Sequence, residues 1–289
     1  MWNSKILKTI DTLVEDIGSV LVNKVESLSP ELTKKFADSL SQLITNRLTK
    51  QSEDRPVGLR MSNIGSPCGR KLWYEVNQKE DAEPLRADTL LKFMFGDVVE
   101  ELVLFLAEVA GHTVEGRQDT QVIAGIEGHR DAVIDGVTVD VKSANTFGFN
   151  KFKNHGLEAD DPFGYRDQLQ SYVHAGQEDP VVTDKSRGAF FVVDKQLGHM
   201  CLDVHPYRNL PWEHVYEFKK SLVSLPEPPK RDYLPEPDGK GGNTKLGTFC
   251  SYCVHKKSCY PNLRTFLYSS GPRFLVTVEN EPMVPEVNG

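Results

Sequence analysis

Asp131 and Asp140 flank the dipeptide Asp135-Gly136 in the stretch D-A-V-I-D-G-V-T-V-D-V-K, which ends at Lys142. Asp-Gly between two apolar runs predicts a two-residue hairpin turn. Counting outward, Ile134 faces Val137, Val133 faces Thr138, Ala132 faces Val139 and Asp131 faces Asp140. Carboxylates opposed across two strands have Cβ atoms roughly 5 Å apart, which is destabilising unless something neutralises them. A divalent cation would do so. Lys142, two residues beyond Asp140, lies on the same strand face and adds a positive group. The plainer reading puts both aspartates in solvent with Lys142 as an ion-pair partner. Glu100, with Glu101 beside it in an apolar helical run, and Gln168 and Tyr172, spaced i,i+4, weigh against that.

A second set of reactive residues lies elsewhere. Cys250, Cys253 and Cys259 form a C-x2-C-x5-C array, and Cys68 stands far upstream. The start of the chain has no run fit for a signal or a membrane span, because Asp11, Glu15 and Asp16 interrupt it. A cytoplasmic location without membrane contact is therefore expected, where thiols stay reduced and short-spaced cysteines point to a metal. Four thiolates suit either zinc or a [4Fe-4S] cluster, and His255 could replace one of them around zinc. Cys201 reads as a small apolar filler. His112, His174 and His214 have no ligand spacing.

These residues need elements to hold them. The 289 residues, 39% hydrophobic and 26% charged, suit a globular chain with one sizeable core and appendages. Ile6 to Leu28 and Leu32 to Leu48 repeat apolar residues at helical spacing about Ser29-Pro30, which predicts a helical hairpin. It either packs on the body or offers a surface for a protein partner or self-association. Thr49 to Pro56 is the expected joint. G-R-K-L-W-Y-E-V-N predicts a helix, and L-L-K-F-M-F-G-D-V-V-E-E-L-V-L-F-L-A-E-V-A-G a largely buried one. Strands follow over Thr113 to Ser143, then a helix near Tyr165 to Ala175, strands at G-A-F-F-V-V-D and H-M-C-L-D-V-H-P-Y, and a helix at W-E-H-V-Y-E-F-K-K-S-L-V-S-L. A Pro-rich then Gly-rich strap carries the last cysteines back. The division is 1–55 helical extension, 56–225 core, 226–275 strap and cysteine region, and 276–289 a poorly ordered tail.

The net charge of −7 opposes a generic nucleic-acid coat. Yet from Lys240 to Arg273 there is no Asp or Glu, and Lys240, Lys245, Lys256, Lys257, Arg264 and Arg273 are all basic. That run is either a solvated basic face or a phosphate-facing one.

Taken in order, G-x3-E (Gly96 to Glu100), G-x2-D (Gly128 to Asp131), D-x-K (Asp140 to Lys142) and Q-x3-Y (Gln168 to Tyr172) resemble the RecB-type branch of the PD-(D/E)XK nuclease superfamily. The cysteine frame, with S-P-C-G-R-K-L-W-Y-E around Cys68, is similar to the iron-sulfur nucleases represented by AddB nuclease domains and the Cas-four-type exonucleases of CRISPR adaptation, which have phage-encoded relatives. The resemblance spans roughly residues 60 to 265. It departs at Glu100, where many relatives have His and lambda-type exonucleases have an acid.

The resemblance implies an α/β, restriction-endonuclease-like core with a mixed central sheet flanked by helices. It further implies a metal-dependent DNA exonuclease acting on single-stranded or resected ends in recombination, repair or phage DNA metabolism. Glu100, Asp131, Asp140 and the Val141 carbonyl would hold Mg2+ or Mn2+. Lys142, with an ordinary pKa near ~10.4, would stabilise transition-state charge and orient water. Gln168 would position that lysine or a phosphate oxygen, while Tyr172 either contacts DNA or packs. Cys68, Cys250, Cys253 and Cys259 would hold a structural [4Fe-4S] cluster, with Zn2+ as the alternative. Arg70, Lys256, Lys257 and Arg264 become candidates for DNA contact. A non-catalytic DNA-end-binding adaptor and a structure-specific endonuclease subunit are the competing readings.

Overall fold

The Val, Ile and Thr alternation before residue 144 folds into the middle of a mixed sheet in a computed structural model that describes residues 8–49 and 58–287. Strands β1 (Val114–Glu115), β2 (Thr120–Ile123), β3 (Ile126–His129), β4 (Ala132–Ile134) and β5 (Val137–Ala144) come first, followed later by β6 (Arg187–Asp194) and β7 (Met200–Pro206). The central sheet has the order β1-β4-β5-β6-β7, with β5 and β6 parallel and the other neighbours antiparallel. β2 and β3 form a separate hairpin. The register expected at Asp135-Gly136 is the one observed from Ile134–Val137 to Ala132–Val139, with Asp135 and Gly136 at φ 48° and 81°. Both central residues of such a turn need positive φ, which Asp tolerates and Gly favours.

Helices cover both faces of the sheet. α1 (Leu13–Asn23) and α2 (Pro30–Thr49) come first, followed by α3 (Met61–Ile64), α4 (Gly69–Asn77) and α5 (Ala87–Val109), and both α1 and α2 pack on α5. Between β5 and β6 run α6 (Thr146–Lys153) and α7 (Tyr165–Ala175), and α8 (Trp212–Val223) follows β7. On one face Ile10, Leu13 and Ile17 join Val103, Leu104 and Ala107 of α5 over Val139, Val141, Ala189 and Phe191. On the other, Phe149, Phe152, Leu169 and Val173 cover Phe190 and Val192, with Cys201 packed against them as a filler. The alternation along β6 thus feeds two cores at once. A third core joins Met61, Ile64, Ile123, Ile126, Tyr172, Trp212 and Tyr216.

Several expectations need correction or fall outside the description. Ile6, most of the joint at Thr49 to Pro56 and the last two residues lie outside the described residues. The apolar helix α5 is not largely buried: Leu90, Leu91, Phe93 and Phe95 are exposed, and its buried residues run only from Glu101 to Ala107. Only that C-terminal half lies in the core formed with α1 and the sheet. The C-terminal region also holds more structure than a strap. β8 (Glu236–Pro237), β9 (Thr244–Lys245), α9 (Thr248–Ser251), α10 (Lys256–Cys259), β10 (Arg264–Tyr268) and β11 (Gly271–Thr277) build a second sheet in the order β10-β11-β9-β8. The tail expected to be poorly ordered lies along β10 instead, with the Leu267 and Val287 amides donating to Pro285 and Thr265 at 2.9 and 2.8 Å. Among the described residues no helix is long and apolar enough to cross a membrane.

Candidate active site

β5 carries Asp140 and Lys142 on the face opposite Val139 and Val141, because side chains alternate along a strand. Lys142 Nζ lies 2.6 Å from Asp140 Oδ2 and 5.0 Å from the centre of the Tyr165 ring on α7. The ladder between β4 and β5 stops at Ala132, so Asp131 is not bonded opposite Asp140 as a strand pair. Its Oδ2 accepts the Val141 amide hydrogen at 2.7 Å, which keeps the two carboxylates neighbours. Val141 otherwise sits in the parallel ladder opposite Phe191.

Glu100 comes from α5, where its Oε1 accepts from Gln118 Nε2 at 2.7 Å. Burial first, and then the charges of Asp140 and Glu101, raise its carboxyl to about 7. Burial likewise pushes Asp131 well above the carboxylate range, with Asp140 and Glu100 adding repulsion. For Lys142 burial acts alone to lower the pKa, but the fields of Asp140 and Asp131 outweigh it and leave the ammonium more firmly protonated than usual. Three acids and one cation therefore share one partly closed site. Glu101 is turned elsewhere: its Oε2 accepts from Arg117 at 2.5 Å and from Ser39 at 2.7 Å.

Gln168 and Tyr172 stand on the α7 face turned to this site. Gln168 hydrogen-bonds the Tyr172 phenol, and burial followed by the fields of Asp140 and Asp131 keeps that phenol un-ionised. Tyr172 is only 2% exposed and belongs to the third core, so the packing role is the one the structure assigns it. A Cβ at Gly128 would meet Met61 Cβ at 2.4 Å and the Tyr172 hydroxyl at 3.0 Å, which explains a glycine there. A Cβ at Gly96 would meet nothing within 4 Å.

Sequence reasoning missed three residues. Tyr165 faces the lysine, Gln118 holds Glu100, and Asp161 accepts from the Tyr165 and Arg166 amides at 3.0 and 2.8 Å, setting the start of α7. An Asp four residues before a helical run was a readable capping signal. The other two depend on tertiary contacts.

Hard oxygen donors crowded in this way fit Mg2+ or Mn2+, since the three acids repel one another and Lys142, the Gln118 amide and the Val141 amide offset them in part. The oxygens are gathered but not closed on one point: among the described residues no three or more His, Cys, Asp or Glu side chains form a finished metal cage.

At the C-terminal sheet, Cys68, Cys250, Cys253 and Cys259 line one cavity together with Arg70, Lys71, Tyr74, Phe249, Lys256 and Tyr260. The cysteines are free thiols. Burial raises Cys68 to about 12 and Cys250 to about 11, with neighbouring acids and thiols adding to the effect. Cys68 caps α4, its Sγ accepting the Lys71 amide hydrogen at 3.4 Å. His255 is not among the lining residues and stacks on Tyr74 at 5.6 Å. A set of four sulfurs with cations around it suits a thiolate-bound group better than a histidine-substituted one.

The basic residues marked for DNA contact are mostly engaged within the protein. Arg70 donates to the Pro229 and Pro228 carbonyls at 2.7 and 3.3 Å. Lys256 pairs with Glu83, as does Lys257 at 3.4 Å, and Arg264 meets Glu281 and Glu286 at 2.5 and 2.6 Å. Lys245 and Arg273 share Asp238 at 3.7 and 2.9 Å. The acid-free stretch of sequence is thus partly offset by carboxylates from outside it, with Glu83 and Asp238 each shared by two cations. His112 Nδ1 meets Asp135 at 2.6 Å while its Nε2 lies 3.3 Å from Asp16 without a hydrogen bond, and His174 is held by Tyr207 and Glu213.

No known family profile matches the sequence, and no curated protein matches it. Among solved structures, the crystal structure of SSO0001 aligns with 80% of this chain and 96% of its own at 14% identity, with a TM-score of 0.40. An alkaline exonuclease, LHK-Exo from Laribacter hongkongensis, aligns over 68% of this chain and 91% of its own at 14% identity and a TM-score of 0.36. The same exonuclease in complex with dAMP gives 65%, 87%, 15% and 0.32 for the same quantities. Overlaps this loose add nothing to the geometry of the site.

Proposed function

We propose that this chain is a divalent-metal-dependent deoxyribonuclease of the PD-(D/E)XK type, acting as an exonuclease on single-stranded or resected DNA ends. One observation carries the reading: Glu100, Asp131 and Asp140 are brought from three separate segments into each other's field, with the Lys142 ammonium 2.6 Å from Asp140. Buried acids at such a density are costly in a protein that does not use them.

Glu100, Asp131, Asp140 and the Val141 carbonyl would hold Mg2+ or Mn2+. The bound ion would polarise a phosphodiester and lower the pKa of water. Lys142, kept protonated by its two aspartates, is unsuited to accept a proton and suited to stabilise charge developing on a phosphoryl oxygen. Gln168 orients the Tyr172 phenol and stiffens the α7 side of the site. Cys68, Cys250, Cys253 and Cys259 would bind a [4Fe-4S] cluster with a structural role, zinc being the other occupant their chemistry allows. The group would tie α4 to the C-terminal sheet.

The test is degradation of 5′- and 3′-labelled single- and double-stranded DNA with Mn2+ by wild type, Asp140→Ala and Lys142→Ala. Loss of about 10²-fold or more in both variants is expected, the scale on which a transition-state contact acts. Equal rates in all three proteins would remove the assigned site. Metal-independent DNA binding with no hydrolysis in wild type would favour an end-binding adaptor.

A further inference from the structure

Three aromatic rings lead from the protein surface to Lys142. Tyr252, between Cys250 and Cys253, is 75% exposed and meets Phe163 edge to face at 6.2 Å. Phe163, itself 43% exposed, lies 5.6 Å from Tyr165, and Lys142 Nζ sits 5.0 Å over Tyr165. Phe163 lies next to Gly164, the N-cap of α7, and Tyr165 begins that helix, so the last two rings are set on a rigid element. The first stands on the short turn that carries two of the four clustered cysteines.

Large aromatic side chains exposed in series are unfavourable in water unless something covers them. Edge-to-face packing fixes the Tyr252 and Phe163 rings against each other without the mutual covering of a stacked pair. The nearby cations bear on what the cover is. Lys256 and Lys257 share the single carboxylate of Glu83, and Lys245 shares Asp238 with Arg273, so each pair keeps part of its positive charge for the phosphates of a strand. Unpaired bases, which present π faces and need no base-edge readout, suit such a surface.

We infer that Tyr252 and Phe163 form a stacking subsite for unpaired nucleobases that guides a single strand toward Asp140 and Lys142. The inference rests on the nuclease reading and goes further, because it assigns the choice of single strands to two residues outside the metal site. It also gives the cysteine region a part in substrate binding: whatever group the thiols hold would fix the platform that presents Tyr252.

The experiment measures quenching of 2-aminopurine in a thymidine-rich single-stranded oligonucleotide, in EDTA, with the full chain. Wild type should quench on binding. Tyr252→Ala and Phe163→Ala should bind on the order of 10-fold more weakly, the usual effect of losing one stacked base. Tyr252→Trp should restore binding, and the salt dependence should be the same in all variants, because no phosphate contact is lost. Since Tyr252 is exposed, its removal spares the fold, and an unchanged melting temperature checks this. Undiminished quenching in both alanine variants overturns the subsite even if DNA is hydrolysed, and would leave a protein partner as the cover for these rings. Stacking-dependent quenching without Mn2+-dependent hydrolysis supports the subsite and overturns the nuclease reading instead.

Discussion

Burial and neighbouring charge lift the Glu100 carboxyl from 4.5 to about 7, and Asp131 moves in the same direction. Folding therefore favours their protonated forms. The share of Glu100 is complete below about 4.5 and is lost as pH rises through about 7, and that of Asp131 is lost in the same direction. In EDTA, the melting temperature should fall between pH 5 and pH 8. Mn2+ should raise it more at pH 8, where the acids are charged and able to ligate, than at pH 5; equal shifts at both would count against a shared ion site. Glu100 and Glu101 should also separate. Glu100→Gln is expected to cut hydrolysis by about 10²-fold or more, whereas Glu101→Gln breaks an ion pair with Arg117 and should lower stability with activity kept within a few-fold. The apolar run by itself nominates both acids, and the G-x3-E spacing of the family resemblance singles out Glu100. Which one faces the site depends on how α5 is rotated against the sheet.

Helix α7 is held at its start by a backbone contact. Gly164 has φ +72°, and a Cβ there would lie 1.7 Å from the Gly65 carbonyl oxygen. Gly164→Ala should cost about 1–3 kcal/mol from the left-handed backbone alone, and more from the clash. Because α7 carries Gln168 and Tyr172, activity should fall with the urea midpoint. Gly96 is the opposite case, a glycine inside α5 with open space around it. Gly96→Ala should stabilise the protein by about 0.5–1 kcal/mol, the helix-interior penalty of glycine. Chemical denaturation of the two variants checks both signs. Most elements were legible because their signals are local: the Asp-Gly turn, the α7 period and the run of β6. The hairpin of β10 and β11 was hidden behind the reading of a strap, although two apolar runs flank Ser-Ser-Gly-Pro there. The exposure of the N-terminal half of α5 was not readable, since an apolar sequence does not say where its neighbours end.

Across the whole molecule, the strap is stapled to α4 at several points. Arg70 grips the proline carbonyls and the Gly69 amide donates to Asp232 at 3.1 Å, while Arg231 ties the strap to the Cys259 carbonyl on α10. Cys68→Ala should abolish any broad absorbance near about 400 nm given by a cluster, lower the melting temperature and expose residues 226–247 to limited proteolysis. A colourless protein containing zinc would replace iron with zinc in the same thiols. With Cys68 raised to about 12 and Cys250 to about 11, loading must release protons, so reconstitution should become more favourable as pH rises. The amino-acid sequence by itself determined the hairpin register, the order of the motifs and the kinship of four cysteines, because turn chemistry, strand alternation and residue spacing act over short stretches. Tertiary structure alone decided which partners the two neighbouring acids take, Gln118 for Glu100 and Arg117 with Ser39 for Glu101. It also decided that Tyr172 packs, that the basic run is partly offset by acids outside it, and that Tyr252, Phe163 and Tyr165 line up toward Lys142. Those outcomes rest on contacts between residues far apart in the chain, and the rotation and docking of whole elements set them.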